Sequence, residues 1–129
     1  MKRLKVLLVD DEEELVAPLI ERLKLRDYEA VGVLDGAEAI EMVKEREFDV
    51  VVLDVKMPGL GGLEVMRQIK AVRPDLAIIL LTGRGSSKES DIGIEQGAYD
   101  YLIKPIDIKD LIRKMNDAVA ASRDGGQHE

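Results

Sequence analysis

Five polar residues of this sequence stand where they could act on one ligand. Asp10 and Asp11 follow the aliphatic run LKVLLV, Asp54 closes VVVLD, Thr82 closes IILLT, and Lys104 follows YDYLI. Carboxylates are hard oxygen donors, and three of them brought together from two separate runs suit Mg²⁺ (or Mn²⁺) rather than Zn²⁺. A carboxylate held beside such an ion can attack phosphorus and carry the phosphoryl group as an acyl phosphate. A lysine ammonium could neutralise one phosphoryl oxygen, and a threonine hydroxyl could donate a hydrogen bond to another. Each residue alone has a plainer reading. Acids complement a helix N-terminus, as Glu12, Glu13 and Glu14 would. Asp54 could simply open a turn, and Lys104 could be a solvated loop cation.

The elements that would position these residues are legible. Short aliphatic or β-branched runs at 4–9, 28–34, 49–53, 76–81 and 99–103 predict strands. The continuous runs among them predict strands covered on both faces, as in a parallel sheet. Amphipathic stretches alternate with them. Val16, Leu19, Ile20 and Leu23 share one face in the first, and Leu63, Met66 and Ile69 lie in the third. Asp35 with Glu38 three residues on gives the second a capping-box start, containing Ile40 and Val43. Asp107 opens the last, with Ile108, Leu111, Ile112, Met115 and Val119 in a stripe. The fourth is the weakest: Ile92 and Ile94 are its only large apolar residues, and Gly93 lies between them. Pro18 falls inside the first helix, which predicts a late start near Val16 or a bend.

This order is βα five times, an α/β chain with a doubly wound five-stranded parallel sheet and helices on both faces. Ligands of such sheets bind outside the carboxyl ends of the strands. Four of the five runs deliver one of the polar residues to that edge.

Composition limits the possibilities. The 129 residues are 46% hydrophobic and contain no cysteine, which fits one aliphatic-core domain without disulfides. A net charge of −7 argues against direct nucleic-acid binding. The apolar run after Lys2, Arg3 and Lys5 is too short for a signal peptide, and no stretch is long enough to span a membrane. A cytoplasmic domain over residues 1–121 is expected, with 122–129 (SRDGGQHE) a flexible tail or the start of a linker.

Four motifs together resemble the receiver domains of response regulators in two-component signalling: VLLVDDE, VVVLDVKMPGLGG, IILLTG and GAYDYLIKP. The resemblance runs from about Leu4 to Val119. It implies the flavodoxin-like strand order 2-1-3-4-5 and a phosphorylation-dependent switch. Asp54 would be the phosphoacceptor, charged by a sensor histidine kinase or phosphotransfer protein. Asp11, Asp54 and the Lys56 backbone carbonyl would be direct Mg²⁺ ligands, with Asp10 acting through water. Thr82 and Lys104 would hold the phosphoryl group, and Tyr101 would be the aromatic switch partner of Thr82. The bond before Pro105 would be cis and aim Lys104 at the site. A downstream target protein or output domain is implied, as is a phosphorylation-dependent homodimer through the fourth-to-fifth-helix face.

Three positions depart from the family's usual pattern. Gly61 replaces a common Asp and specifies the next helix cap less strongly. Lys56 and Arg84, each two residues beyond Asp54 and Thr82, are cationic and would slow hydrolysis of the acyl phosphate. Other functions fit less well. A flavin carrier would not place DDEEE where a phosphate binds. An aspartyl-nucleophile phosphatase would usually carry a second acid where Lys56 stands. A non-phosphorylated docking module would not need the full set of polar residues.

Overall fold

The computed structural model describes residues 3–57, 59–83 and 87–125. Strands β1 (Lys5–Val9), β2 (Glu29–Val33), β3 (Val50–Asp54), β4 (Ala77–Thr82) and β5 (Asp100–Ile103) alternate with helices α1 (Glu13–Leu25), α2 (Gly36–Glu45), α3 (Gly62–Val72), α4 (Ser87–Glu95) and α5 (Ile108–Gly125). All neighbouring strands pair in parallel, in the order β2-β1-β3-β4-β5. The fold is the flavodoxin-like one expected.

Side-chain alternation along the strands builds two cores. Val6, Leu8, Val50, Val52, Ile79 and Leu81 face α1 and α5, where Val16, Leu19, Leu23, Leu111 and Met115 meet them. Leu7, Val9, Val51, Leu53, Ile78 and Leu80 face the other way, toward Ile40 and Val43 of α2 and Val65, Met66 and Ile69 of α3. With both faces covered, β1, β3 and β4 are almost wholly buried. Their carboxyl ends are the one place where they can present polar groups.

The helix starts follow local chemistry. The Asp35 carboxylate accepts the Glu38 N–H at 2.8 Å, closing the cap before α2. Asp107 accepts the N–H groups of Lys109 and Asp110 at the start of α5. Glycine at the N-cap of α3, Gly61, provides no side-chain cap.

Three local features add to this picture. The first helix begins at Glu13 and runs through Pro18, so it does not start late. Pro18 and Glu14, whose carbonyl loses its usual partner, are both exposed, so water can satisfy that group. Helix α4 does not pack through its isoleucines: Ile92 and Ile94 are 40% and 38% exposed, whereas Ser90 and Gly93 are buried. A Cβ at Gly93 would lie 2.2 Å from Leu80 Cδ1, so the missing side chain is what lets the helix backbone approach β4. Finally, α5 extends to Gly125, and Arg123 pairs with Asp49 at 3.3 Å. Among the described residues, no helix is long and apolar enough to cross a membrane.

Candidate functional site

Asp10 follows β1 directly, and Asp54 is the last residue of β3. Because β1 pairs with β3, the two acids emerge side by side at the carboxyl edge of the sheet. Asp10 is fully buried and Asp54 is 4% exposed. Each is oriented by the backbone two residues on: Asp10 Oδ1 accepts the Glu12 N–H at 3.0 Å, and Asp54 Oδ1 accepts the Lys56 N–H at 3.2 Å. The second oxygens are thereby left to face Lys104.

Lys104 arrives from the end of β5, its own N–H donating to the Thr82 carbonyl at 2.8 Å. Its bond to Pro105 is cis. The ammonium lies 3.4 Å from Asp54 Oδ2, 2.9 Å from Asp10 Oδ2 and 2.6 Å from Glu12 Oε1. Asp10 Oδ2 is off the line of a hydrogen bond and is a buried acceptor without a directed donor. Three carboxylates against one ammonium leave an excess of negative charge.

The protonation equilibria reflect this crowding. Burial, and next the charge of Asp10, pushes the Asp54 carboxyl up from 3.8 to about 6, against the opposing pull of Lys104 and the Lys56 N–H. Burial alone would lower the Lys104 ammonium. The carboxylates of Glu12, Asp10 and Asp54 outweigh it and hold Lys104 above the ordinary lysine range.

Among the described residues, Asp10, Glu12 and Asp54 offer carboxylate oxygens within 4.8 Å of one another. The buried Asp10 and Asp54 oxygens, one of them an acceptor lacking a directed partner, fit a hard divalent cation, while the exposed Glu12 carboxylate is held by Lys104.

The other residues singled out in the sequence are placed less centrally. Asp11 is exposed and stands outside the carboxylate group. Glu12 stands inside it, although the sequence suggested only a helix-dipole role. At an irregular strand-to-helix turn, spacing does not tell which of two adjacent acids turns inward. Thr82 is buried at the end of β4, its hydroxyl donating to the Gly83 carbonyl at 2.8 Å. Tyr101 is partly buried against the α2–α3 core. The ammonium of Lys56 is directed to α4, 3.5 Å from Glu89 Oε2. Arg84 lies outside the described residues.

Close to Asp54, the backbone itself is tightly constrained. The Gly62 N–H donates to the Val55 carbonyl at 2.9 Å, folding the β3–α3 turn back on the strand. A Cβ at Gly62 would sit 2.2 Å from the Asp54 carbonyl oxygen, so only glycine fits there.

Comparison with known proteins agrees with this geometry. A profile of the response regulator receiver domain matches residues 6–116. The response regulator MprA of Mycobacterium sp. (strain KMS) is 40% identical over 111 residues, 86% of this chain and 48% of the relative. The chain thus spans about half the length of the curated relatives it matches. Among solved structures, a response regulator receiver domain protein from Clostridium thermocellum superposes with a TM-score of 0.88 at 31% identity, covering 93% of this chain and 97% of that one. NtrX from Brucella abortus superposes with a TM-score of 0.91 at 26% identity, covering 98% of this chain and 29% of its own. The chain belongs to the response regulator receiver domain family.

Proposed function

We propose that Asp54 accepts a phosphoryl group from a phosphohistidine on a sensor histidine kinase or phosphotransfer protein. Receiver domains act in two-component systems and bind Mg²⁺ through an acidic pocket, which supplies the frame. The observation that carries the reading is the state of Asp54 itself. It is buried at a strand end, with one oxygen tied to the Lys56 N–H and the other facing the Lys104 ammonium. An ionised Asp54 oxygen attacks phosphorus as the phosphorus–nitrogen bond of the donor breaks. Lys104 neutralises a phosphoryl oxygen, and Thr82 turns its hydroxyl from the Gly83 carbonyl to another. Positioning and charge neutralisation provide most of the rate.

Mg²⁺ (or Mn²⁺) would be held by Asp10 acting through water, Asp54, the Lys56 carbonyl and Asp11. Of these, Asp11 and the Lys56 carbonyl enter on the family resemblance alone. The ion, when bound, offsets the charge that accumulates on the phosphoryl oxygens.

Phosphorylation then shifts a two-state equilibrium through Thr82, Tyr101 and α4. Ile92, Ile94, Tyr99 and Ile103 are exposed on or near α4 and β5, which supports that face as the target or homodimer surface. In a whole protein of the relatives' length, an output module would read this change. A cytoplasmic setting and no direct nucleic-acid contact by this domain complete the reading.

Incubation with acetyl phosphate and Mg²⁺, followed by intact mass, tests the proposal. Wild type should gain one phosphoryl group and Asp54→Asn none. Absence of the adduct in wild type, or an equal adduct in the variant, would overturn it.

A further inference from the structure

We propose that Glu12 is a positioning residue that holds Lys104 in the unphosphorylated protein and must release it when the phosphoryl group arrives. The inference rests on the phosphoacceptor reading of Asp54. Glu12 is the N-cap of α1, yet its side chain makes no capping hydrogen bond. Its carboxylate reaches instead to a residue 92 positions away, and its 2.6 Å contact is the shortest of the three that Lys104 makes with carboxylates. A helix-dipole role alone would not require that reach.

The three carboxylates around Lys104 differ in freedom. Asp10 and Asp54 are fixed, each with one oxygen tied to a backbone N–H. Glu12 has a longer side chain that is 57% exposed, against 0% and 6% for the two aspartates. It can swing into water without stranding a buried charge, whereas they cannot. A phosphoryl group on Asp54 brings new anionic oxygens that compete for the same ammonium. Lys104 then exchanges Glu12 for phosphate, and Glu12 is the partner that can leave. Glu12 therefore sets how available Lys104 is before transfer.

The test compares Glu12→Gln with Glu13→Gln, which removes an equal charge from the neighbouring exposed position in the first turn of α1. Phosphorylation by acetyl phosphate with Mg²⁺ is followed by intact mass. Solvent exchange of the Lys104 ammonium protons is followed by NMR on ¹⁵N-lysine protein, and the Mg²⁺ Kd by calorimetry. In Glu12→Gln the phosphorylation rate should rise roughly threefold to fivefold, the scale of one partly exposed ion pair. Its Lys104 protons should exchange faster, and its Mg²⁺ Kd should stay within about threefold of wild type. Glu13→Gln should match wild type in all three. An unchanged rate in Glu12→Gln, or an equal rise in both variants, overturns the inference. So does a loss of Mg²⁺ affinity of about tenfold in Glu12→Gln, which would make Glu12 a ligand of the ion. If wild type takes up no phosphoryl group, the reading of Asp54 falls and this inference falls with it; if wild type does and Glu12→Gln is no different, only the inference fails.

Discussion

Asp10 and Asp54 are held in the same way and aimed at the same atom. Each gives one oxygen to the backbone N–H two residues on, and each points the other toward Lys104 Nζ, at 2.9 Å and 3.4 Å. The shared arrangement follows from the pairing of β1 with β3 and from a turn beginning at the same strand level. Two buried acids so placed repel each other, and Lys104 only partly relieves that repulsion.

Burial, with this repulsion added to it, gives Asp54 a stability cost that depends on pH. Its folded pKa of about 6 lies above the ordinary 3.8, so the folded chain binds this proton more tightly than the unfolded one. The resulting stability is complete below about pH 4 and is lost as pH rises through about 6. Asn at position 54 carries no charge and escapes the loss. In protein freed of divalent ions, Asp54→Asn should be more stable than wild type at neutral pH by on the order of 2 kcal/mol. Urea melts across this range should show the gap closing toward acid; a gap independent of pH would refute the assignment.

Adjacent glycines before α3 should respond in opposite ways. Gly61 is an N-cap with extended backbone (φ −68°, ψ 159°), and a Cβ there meets nothing within 4 Å. Asp at this position can cap the helix, so Gly61→Asp should add a few tenths of a kcal/mol, roughly 0.3. At Gly62 a Cβ would strike the Asp54 carbonyl oxygen at 2.2 Å and Val55 Cα at 2.7 Å, both backbone atoms. Gly62→Ala should cost about 2–3 kcal/mol and slow phosphorylation, because relieving the clash moves Asp54. Denaturant melts of the two variants would separate these effects. Equal stabilities would contradict the close approach.

Those glycines also mark what a sequence can reveal. The parallel sheet was legible because burial on both faces demands continuous aliphatic runs, and VVVL and AIILL supply them. The Asp35–Glu38 cap was legible because its partners are three residues apart. The convergence of Asp10, Asp54 and Lys104 followed from strand ends sharing one edge. Glu12 was not legible, since its partner is Lys104 and the direction of its side chain is set by tertiary contact. The anchor of α4 was likewise hidden: Gly93 matters only because Leu80 lies beneath it. Hydrophobicity pointed to Ile92 and Ile94, which the fold leaves exposed.

Lys56 joins the turn after Asp54 to α4. Its N–H holds Asp54, while its ammonium is 3.5 Å from Glu89 in α4. For Lys56 to lengthen the acyl-phosphate lifetime, its ammonium must leave Glu89 for the phosphoryl group. Removing the Glu89 charge should favour that exchange. Glu89→Gln should therefore slow hydrolysis of the phosphorylated domain by roughly twofold to threefold, the scale of an exposed pair. Lys56→Ala should speed hydrolysis, and the double variant should behave as Lys56→Ala. Decay of the phosphorylated mass after removal of the donor measures all three. A Glu89→Gln effect that persists without Lys56 would show that the pair is not its cause.

The thin attachment of α4 predicts where the domain opens first. Ser90 and Gly93 are its buried residues among those described, whereas α5 buries Leu111, Met115, Ala118 and Val119. Elements with few buried apolar contacts open at lower free energy than the core. Amides of residues 87–96 should therefore exchange well before those of α5, and hydrogen-exchange mass spectrometry can resolve the two segments. Gly93→Ala provides the mechanistic control. Its methyl would meet Leu80 Cδ1 at 2.2 Å, so the helix must lift or Leu80 must shift. Either response should raise exchange in α4 more than in α5, by about tenfold if opening becomes easier by about 1.4 kcal/mol. Protection of 87–96 equal to that of α5 in wild type would show that α4 is held by more than this narrow contact, and would remove the basis for treating it as the element that phosphorylation moves.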